Sequence, residues 1–285
     1  MSGPAPVVFI LSTRRAGSTW LNLVLGSCSW GANLGEYKRL FEDRGHVACR
    51  LCEAEGLPGC AVLHGVEHVD QRDAFAFATA RLPGRVLFDA SKRPEWARLF
   101  LGRDDVDARL VHLVRHPAGV MEGQRRRTGL SWDALLEDWE LKNRAIEEFV
   151  ASTGTPSMLV SYEDLTNDPE RAFPALCAFA GGPFEPGALR YWEHEHHGLG
   201  GNGAASLYLR GRARVNYVTG DDAFYAELAG APTRADTRWH DRVPADVALR
   251  AIDSPYAKEL AARLGREWEH PAGRGGATRA ANPAP

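Results

Sequence analysis

The sequence predicts an α/β domain built on a central parallel sheet flanked by helices, and three observations carry that expectation. Short, largely apolar runs recur at residues 7–11, 85–89, 110–114 and 157–161, as strands buried on both faces require. Helical patterns at 94–101, 117–128 and 131–150 lie between them. Strands alternating with helices pair in parallel through right-handed crossovers.

In chain order, the first run passes through a polar loop, 12–17, into a helix opened at Ser18 and carrying Trp20, Leu21, Leu23, Val24 and Leu25. The stretch 131–150 has apolar residues at 132, 135, 136, 139, 146, 149 and 150, close to a 3.6-residue period. Asp168 followed by Pro169 reads as a helix start, with an N-cap and a proline in the first helical position. Beyond about residue 185 the pattern loosens into glycine, histidine and aromatic residues, and it becomes helical again at 244–264. Residues 271–285 are small and polar without periodicity, so a disordered tail is expected. No repeat or linker divides the chain, which reads as a single domain over 1–270 with a cysteine-containing insertion at about 40–70.

Composition narrows the function. The 285 residues carry a net charge of −3, with 44% hydrophobic and 25% charged residues, ordinary for a globular domain. Nothing in that balance favours nucleic acid or an anionic membrane, so any anion site must be local. No stretch approaches the roughly 20 apolar residues of a membrane span. The run 7–11 is too short for a secretory core, and an odd count of five cysteines suggests reduced thiols or metal. The expected location is the cytoplasm. Only four basic residues are lysines (Lys38, Lys92, Lys142 and Lys258) against thirty arginines, a bias that makes each lysine conspicuous.

The first strand–loop–helix is the strongest candidate for an anion site. Backbone N–H groups and the positive end of a helix dipole meet in such a loop. Gly17 permits close backbone approach, Ser18 and Thr19 add hydroxyl donors, and Arg14 and Arg15 add charge before the turn. A nucleoside-triphosphate loop would read G-x-x-x-x-G-K-[ST]. Its leading glycine and its lysine are both missing here, which disfavours metal-dependent kinase or ATPase chemistry. Two further segments complete the pattern. The strand 110–114 ends in Arg115, His116 and Pro117, and on the helix that follows Gly123 and Arg127 share a face. Farther on stands V-S-Y-E-D-L at 160–165.

Together these resemble the sulfotransferases that use 3′-phosphoadenosine 5′-phosphosulfate (PAPS), in particular bacterial, carbohydrate and tyrosylprotein members. Their loop P-R-S-G-T-T-x-L is similar to R-A-G-S-T-W-L at 15–21, and their arginine-ending strand and later tyrosine segment are similar to those around Arg115 and Tyr162. The resemblance spans roughly residues 7 to 240. It implies a P-loop-like three-layer α/β/α domain, with PAPS held by Arg14, Arg15, Ala16, Gly17, Ser18, Thr19, Trp20, Arg115, Gly123, Arg127 and Tyr162. Two positions depart from the pattern. The usual serine on the 3′-phosphate is Gly123, so a second donor must join Arg115, and Arg127 is the natural candidate. The usual aspartate after the arginine is His116, which changes packing more than chemistry.

Sulfuryl transfer needs an in-line acceptor oxygen, a base for its proton and a cation for the developing charge. Lys92 lies just after the strand 85–89, at the carboxyl edge where open α/β sheets bind ligands. Its D-x-S-K setting, 89–92, also resembles a PAPS-contacting element. The resemblance assigns the base to Glu36, in a G-E pair soon after the first helix. Histidine is the alternative base, with His64, His68, His194, His196 and His197 available. The glycine-rich segment 196–203 could approach the nucleotide or cover the site, and it precedes an R-W pair at Arg238 and Trp239.

The insertion carries C-x₂-C-x₇-C-x₃-H at Cys49, Cys52, Cys60 and His64, a donor set able to close a tetrahedral zinc site. Cys28 and Cys177, on apolar helical stretches, read as core residues. The expected activity is transfer of a sulfuryl group from PAPS to the hydroxyl of a carbohydrate, a phenol or tyrosine, or a secondary metabolite. The alternative is a nucleotide- or zinc-binding protein of the same fold without catalysis. Acceptor loops are expected around 40–75 and 200–235, where Tyr208, Tyr217, Phe224 and Tyr225 would suit a planar or sugar acceptor.

Overall fold

The computed structural model describes residues 3–42, 49, 52, 59–198 and 233–271. The first apolar run folds as β1 (Ala5–Ser12), buried along its length except at half-buried Pro6. It occupies the centre of a five-stranded sheet of order β2-β3-β1-β4-β5, in which every pairing is parallel. The other strands are β2 (Gly31–Gly35), β3 (Val86–Asp89), β4 (Val106–Val114) and β5 (Ser157–Ser161). A central strand covered on both faces explains why the run 7–11 shows no polar alternation.

The helices are α1 (Ser18–Ser27), α2 (Arg39–Glu42), α3 (Ala74–Arg81), α4 (Pro94–Arg98), α5 (Pro117–Thr128), α6 (Trp132–Thr153), α7 (Tyr162–Asn167) and α8 (Pro169–Ala180), then α9 (Trp239–Arg242), α10 (Ala245–Asp253) and α11 (Pro255–Arg263). They flank the sheet in the expected α/β/α manner. A buried aromatic cluster joins three elements: Phe9 of β1 meets Phe75 of α3, and Phe100 beyond α4 meets both Phe75 and Trp96 of α4. The expected helical stretch 244–264 is two helices, divided where the Ser254 hydroxyl accepts from the Ala257 N–H and Pro255 opens α11. The expected tail beyond 271, most of the insertion, and the aromatic residues Tyr208, Tyr217, Phe224 and Tyr225 lie outside the described residues.

Sequence pattern does not disclose β2. Its G-A-N-L-G has low intrinsic strand preference and reads as a turn. Tertiary packing makes it a strand, because only glycines allow α1 and β2 to approach so closely. A Cβ at Gly31 would lie 2.1 Å from the Leu25 carbonyl oxygen, and one at Gly26 would lie 2.6 Å from Asn33.

From β1 the chain moves to one side to form β2 and β3, then crosses to the other for β4 and β5. The carboxyl ends of β1 and β4 therefore flank a topological switch point, where ligands of open α/β sheets bind.

Two histidines near this edge are buried in neutral form. His112 of β4 donates from Nε2 to Asn143 Oδ1 at 3.0 Å, and burial pulls its pKa down to about 4. Burial likewise lowers His116 to about 3, with Arg115 and Arg266 adding to the effect. The unfolded chain protonates both near their ordinary pKa of 6.5 and so binds more protons than the folded chain between pH 6.5 and 4. Stability is therefore lost as pH falls through that window, by about 1 kcal/mol per pH unit for each histidine. Urea denaturation should show this, with His112→Gln losing one histidine's share of the slope. Parallel slopes for the two proteins would contradict it.

Candidate active site

Each strand delivers one part of the site at its carboxyl end. After β1 the loop 13–17 turns through two left-handed residues, Arg15 (φ 70°) and Gly17 (φ 97°). Gly17 is required twice over, for its φ and for the aromatic ring lying on it: a Cβ there would sit 2.5 Å from Tyr162 Cδ2. Gly17 is also the N-cap of α1 and offers no side-chain acceptor to the first turn. By contrast Ser131, Ser161, Asp168 and Ser254 cap α6, α7, α8 and α11 with their side chains. A helix N-terminus of this kind is able to hold an anion. Ala16 and Ser18 are buried beneath it, and Arg14 is exposed. Half-buried Trp20 meets Tyr162 edge-on, and Thr19 is also half-buried.

Arg115 follows β4 and is buried. Its Nη1 donates to the Arg15 carbonyl at 3.0 Å and its Nη2 to the Asp236 carbonyl at 2.7 Å. The guanidinium lies 4.7 Å over the ring of Tyr162, which β5 delivers. Asp236, which sequence reasoning passed over, ties this corner together. Its carboxylate lies 3.4 Å from Arg115 and accepts both Nε and Nη2 of Arg238 at 2.8 Å, while its N–H donates to the Tyr162 hydroxyl at 3.2 Å. Burial alone would raise the Asp236 carboxyl, but Arg238 and Arg115 outweigh it and hold the group well below the usual range.

Gly119, Gly123 and Arg127 form one row along α5. A Cβ at Gly119 would lie 2.9 Å from Arg115 Nε, and one at Gly123 would lie 3.0 Å from Arg15 Cγ. The space of the usual serine is therefore filled by the stem of Arg15. Arg127, expected to join Arg115, is instead exposed on the last turn of α5. The left-handed turn at Arg15 is what lays that arginine along the helix. His116 replaces the usual aspartate as N-cap, its Nδ1 accepting from the Ala118 N–H at 3.2 Å while its ring stacks on Trp239.

Glu36 and Lys92 meet on the other side of β1. β2 ends in a register shift and a left-handed Gly35 (φ 67°). The β2 and β3 ends stay joined beyond the ladder: the Ala90 N–H donates to the Gly35 carbonyl at 2.7 Å and the Lys38 N–H to Ser91 Oγ at 3.0 Å. Buried Asn22 of α1 clamps both strands, donating to the Phe88 carbonyl at 2.8 Å and accepting from the Gly35 N–H at 3.3 Å. Buried Asp89 shapes the next turn by accepting from Ser91 N–H and Trp96 Nε1. Lys92 is thereby held in a left-handed conformation (φ 62°), with Nζ 2.5 Å from Glu36 Oε1 and 2.9 Å from the Ala90 carbonyl. Both side chains retain modest access to solvent, 15% for Lys92 and 20% for Glu36.

The alternative histidines are placed elsewhere. His64 and His68 are exposed, and His194 faces the Gly187 carbonyl. Buried His196 lies between Asn33 Oδ1 at 2.8 Å and the Tyr191 carbonyl at 2.7 Å. Cys49, Cys52 and Cys60 converge as their spacing suggests, but their fourth companion is His197 and not His64. His64 closes a tight backbone turn onto the Cys60 carbonyl and its side chain stays at the surface. His197 carries no spacing signal: it stands 145 residues from Cys52 and 137 from Cys60, and folding alone brings its Nδ1 to 3.4 Å from each thiol. Only residues 196–198 of the glycine-rich segment belong to the described residues.

The parallel five-stranded sheet flanked by helices is the fold of solved sulfotransferase domains. Residues 106–186, from β4 through α8, match the Sulfotransferase family. Among solved structures, the sulfotransferase domain from the curacin biosynthetic pathway superposes with a TM-score of 0.58 at 20% identity, covering 94% of this chain and all (100%) of that one. The sulfotransferase domain of the Synechococcus PCC 7002 olefin synthase gives 0.54 at 22% identity, covering 80% of this chain and 95% of that one. No curated protein matches the chain. Among the described residues no helix is long and apolar enough to cross a membrane.

Proposed function

We propose that this chain is a PAPS-dependent O-sulfotransferase that moves a sulfuryl group onto the hydroxyl of a carbohydrate, phenol or small metabolite. The observation that carries this reading is the meeting of Glu36 and Lys92 at the same sheet edge as the anion loop and Arg115. A base, a cation and a double anion site are the parts that sulfuryl transfer requires.

The donor's two anionic ends suit two different features. The α1 terminus, approached closely at Gly17, fits the 5′-phosphosulfate. The buried fork of Arg115, with the adjacent stem of Arg15 at Gly123, fits the 3′-phosphate. Tyr162 keeps both in register by packing against Gly17 and Arg115 together. Glu36 takes the acceptor's proton as its oxygen attacks sulfur. Lys92 supplies positive charge for the oxygen that leaves with the nucleotide, and its contact with Glu36 holds the two side chains together at the sheet edge.

Incubation with sulfur-35-labelled PAPS and a panel of sugars, phenols and hydroxylated metabolites tests the reading. A labelled product that depends on Glu36 supports it. Tight binding of the product nucleotide with no labelled acceptor across the panel would leave a binding protein of the same fold.

A further inference from the structure

We infer that Cys49, Cys52, Cys60 and His197 hold one zinc ion in a closed tetrahedral site that fastens residues 194–198 to the cysteine-bearing insertion. The four donor atoms lie within 4.8 Å of one another, and His197 Nδ1 is 3.4 Å from both Cys52 Sγ and Cys60 Sγ. Zinc–sulfur and zinc–nitrogen bonds of about 2.3 and 2.0 Å place tetrahedral donors about 3.5–3.8 Å apart, so a small contraction suffices. Three soft thiolates and one borderline imidazole favour zinc over calcium or magnesium, which take oxygen donors.

The surroundings distinguish this group from ordinary buried thiols. All three cysteines are free of disulfides and buried, at 2%, 4% and 6% exposure, which leaves the group closed to a substrate. The far side of the His197 ring is engaged as well: Nε2 meets Glu195 Oε1 at 2.9 Å. A carboxylate behind a histidine fixes its tautomer and raises its basicity, the usual support for a metal-bound imidazole. Cys28 and Cys177, also buried, have a thiol partner in each other.

The neighbours of His197 give the site a structural purpose. His196 is bonded to Asn33 of β2, and Gly198 is packed so closely that a Cβ would lie 2.8 Å from Asn33 Nδ2 and 3.3 Å from the Gly35 N–H. The ion thus secures a segment lying along the end of β2, next to Glu36.

Elemental analysis and zinc-edge X-ray absorption on the full chain test the assignment. The expected result is about one zinc per chain with a shell of three sulfurs and one nitrogen. Less than about half an equivalent, or a shell of oxygen or of two sulfurs and two nitrogens, would overturn it. His197→Ala should lose the ion or release it at least about tenfold faster to a chelator, whereas His64→Ala should keep it. The reverse pattern would return the fourth position to His64 and refute the clamp. Because absorption is measured on the unaltered chain, a variant that fails to fold does not leave the question open.

Discussion

Lys92→Gly should abolish most sulfuryl transfer while leaving stability within about 1 kcal/mol of the parent. The backbone at Lys92 is left-handed (φ 62°), a conformation that costs an L-residue roughly 1–2 kcal/mol and a glycine almost nothing. Against that gain stands the loss of the ion pair with Glu36, partly solvated and therefore worth about as much. The left-handed backbone at Lys92 therefore adds nothing to stability that glycine would not match. Removing its charge from the leaving oxygen should lower kcat by about 10²–10³-fold. Glu36→Gln, which keeps the shape and removes the proposed base, should cost about 10²–10⁴-fold. Calorimetry should find the affinity of both variants for the product nucleotide within about threefold of the parent, because Arg115 and the loop are untouched. A Glu36→Gln enzyme of near-parental kcat would remove the base from Glu36.

Arg115→Ala should weaken both nucleotide binding and stability. The guanidinium is buried and makes contacts to Arg15, Asp236 and the Tyr162 ring that no small side chain replaces. Breaking a buried pair costs about 3–5 kcal/mol. The lower end is expected here, because Asp236 keeps its bidentate contact with Arg238. Affinity for the product nucleotide should fall by at least about 100-fold, since a charge-assisted fork on phosphate is lost. Arg115→Lys separates the two effects. It restores a charge near Asp236 and much of the stability, but its single ammonium cannot reach the Arg15 carbonyl and a phosphate in the planar geometry of a fork. Stability should therefore recover more than affinity. Denaturation and calorimetry on the same preparations measure both, and equal recovery would contradict the proposed phosphate role.

The elements read most directly from residue order were those with strong local physics. β1, β3 and the second half of β4 announce themselves as apolar runs because they are buried, and β5, an edge strand, keeps an apolar run although Ser157 is exposed and Met158 and Leu159 are half-buried. α5 and α8 announce their starts through Pro117 and through Asp168 with Pro169. Lys92 was legible as a candidate because it follows the readable strand β3, whereas Glu36, at the end of the undisclosed β2, was named only through the family resemblance. Their mutual contact was not legible, since it depends on Asn22 and Ser91 holding the β2 and β3 ends together.

What escaped residue order shares one cause: each contact is non-local and made by residues with no distinctive pattern. β2 is a strand because α1 presses against its glycines. Arg15, not Arg127, stands at Gly123 because the loop reverses at a left-handed residue. His197, not His64, completes the cysteine group because the chain after α8 returns to the insertion. Asp236 joins its near neighbour Arg238 to Arg115, which is 121 residues away. Hydrophobic periodicity and capping chemistry act within a few residues and so decide the α/β class and the strand ends locally. The partners of buried charges and thiols are chosen by whatever folding brings within about 4 Å, which spacing along the chain does not encode.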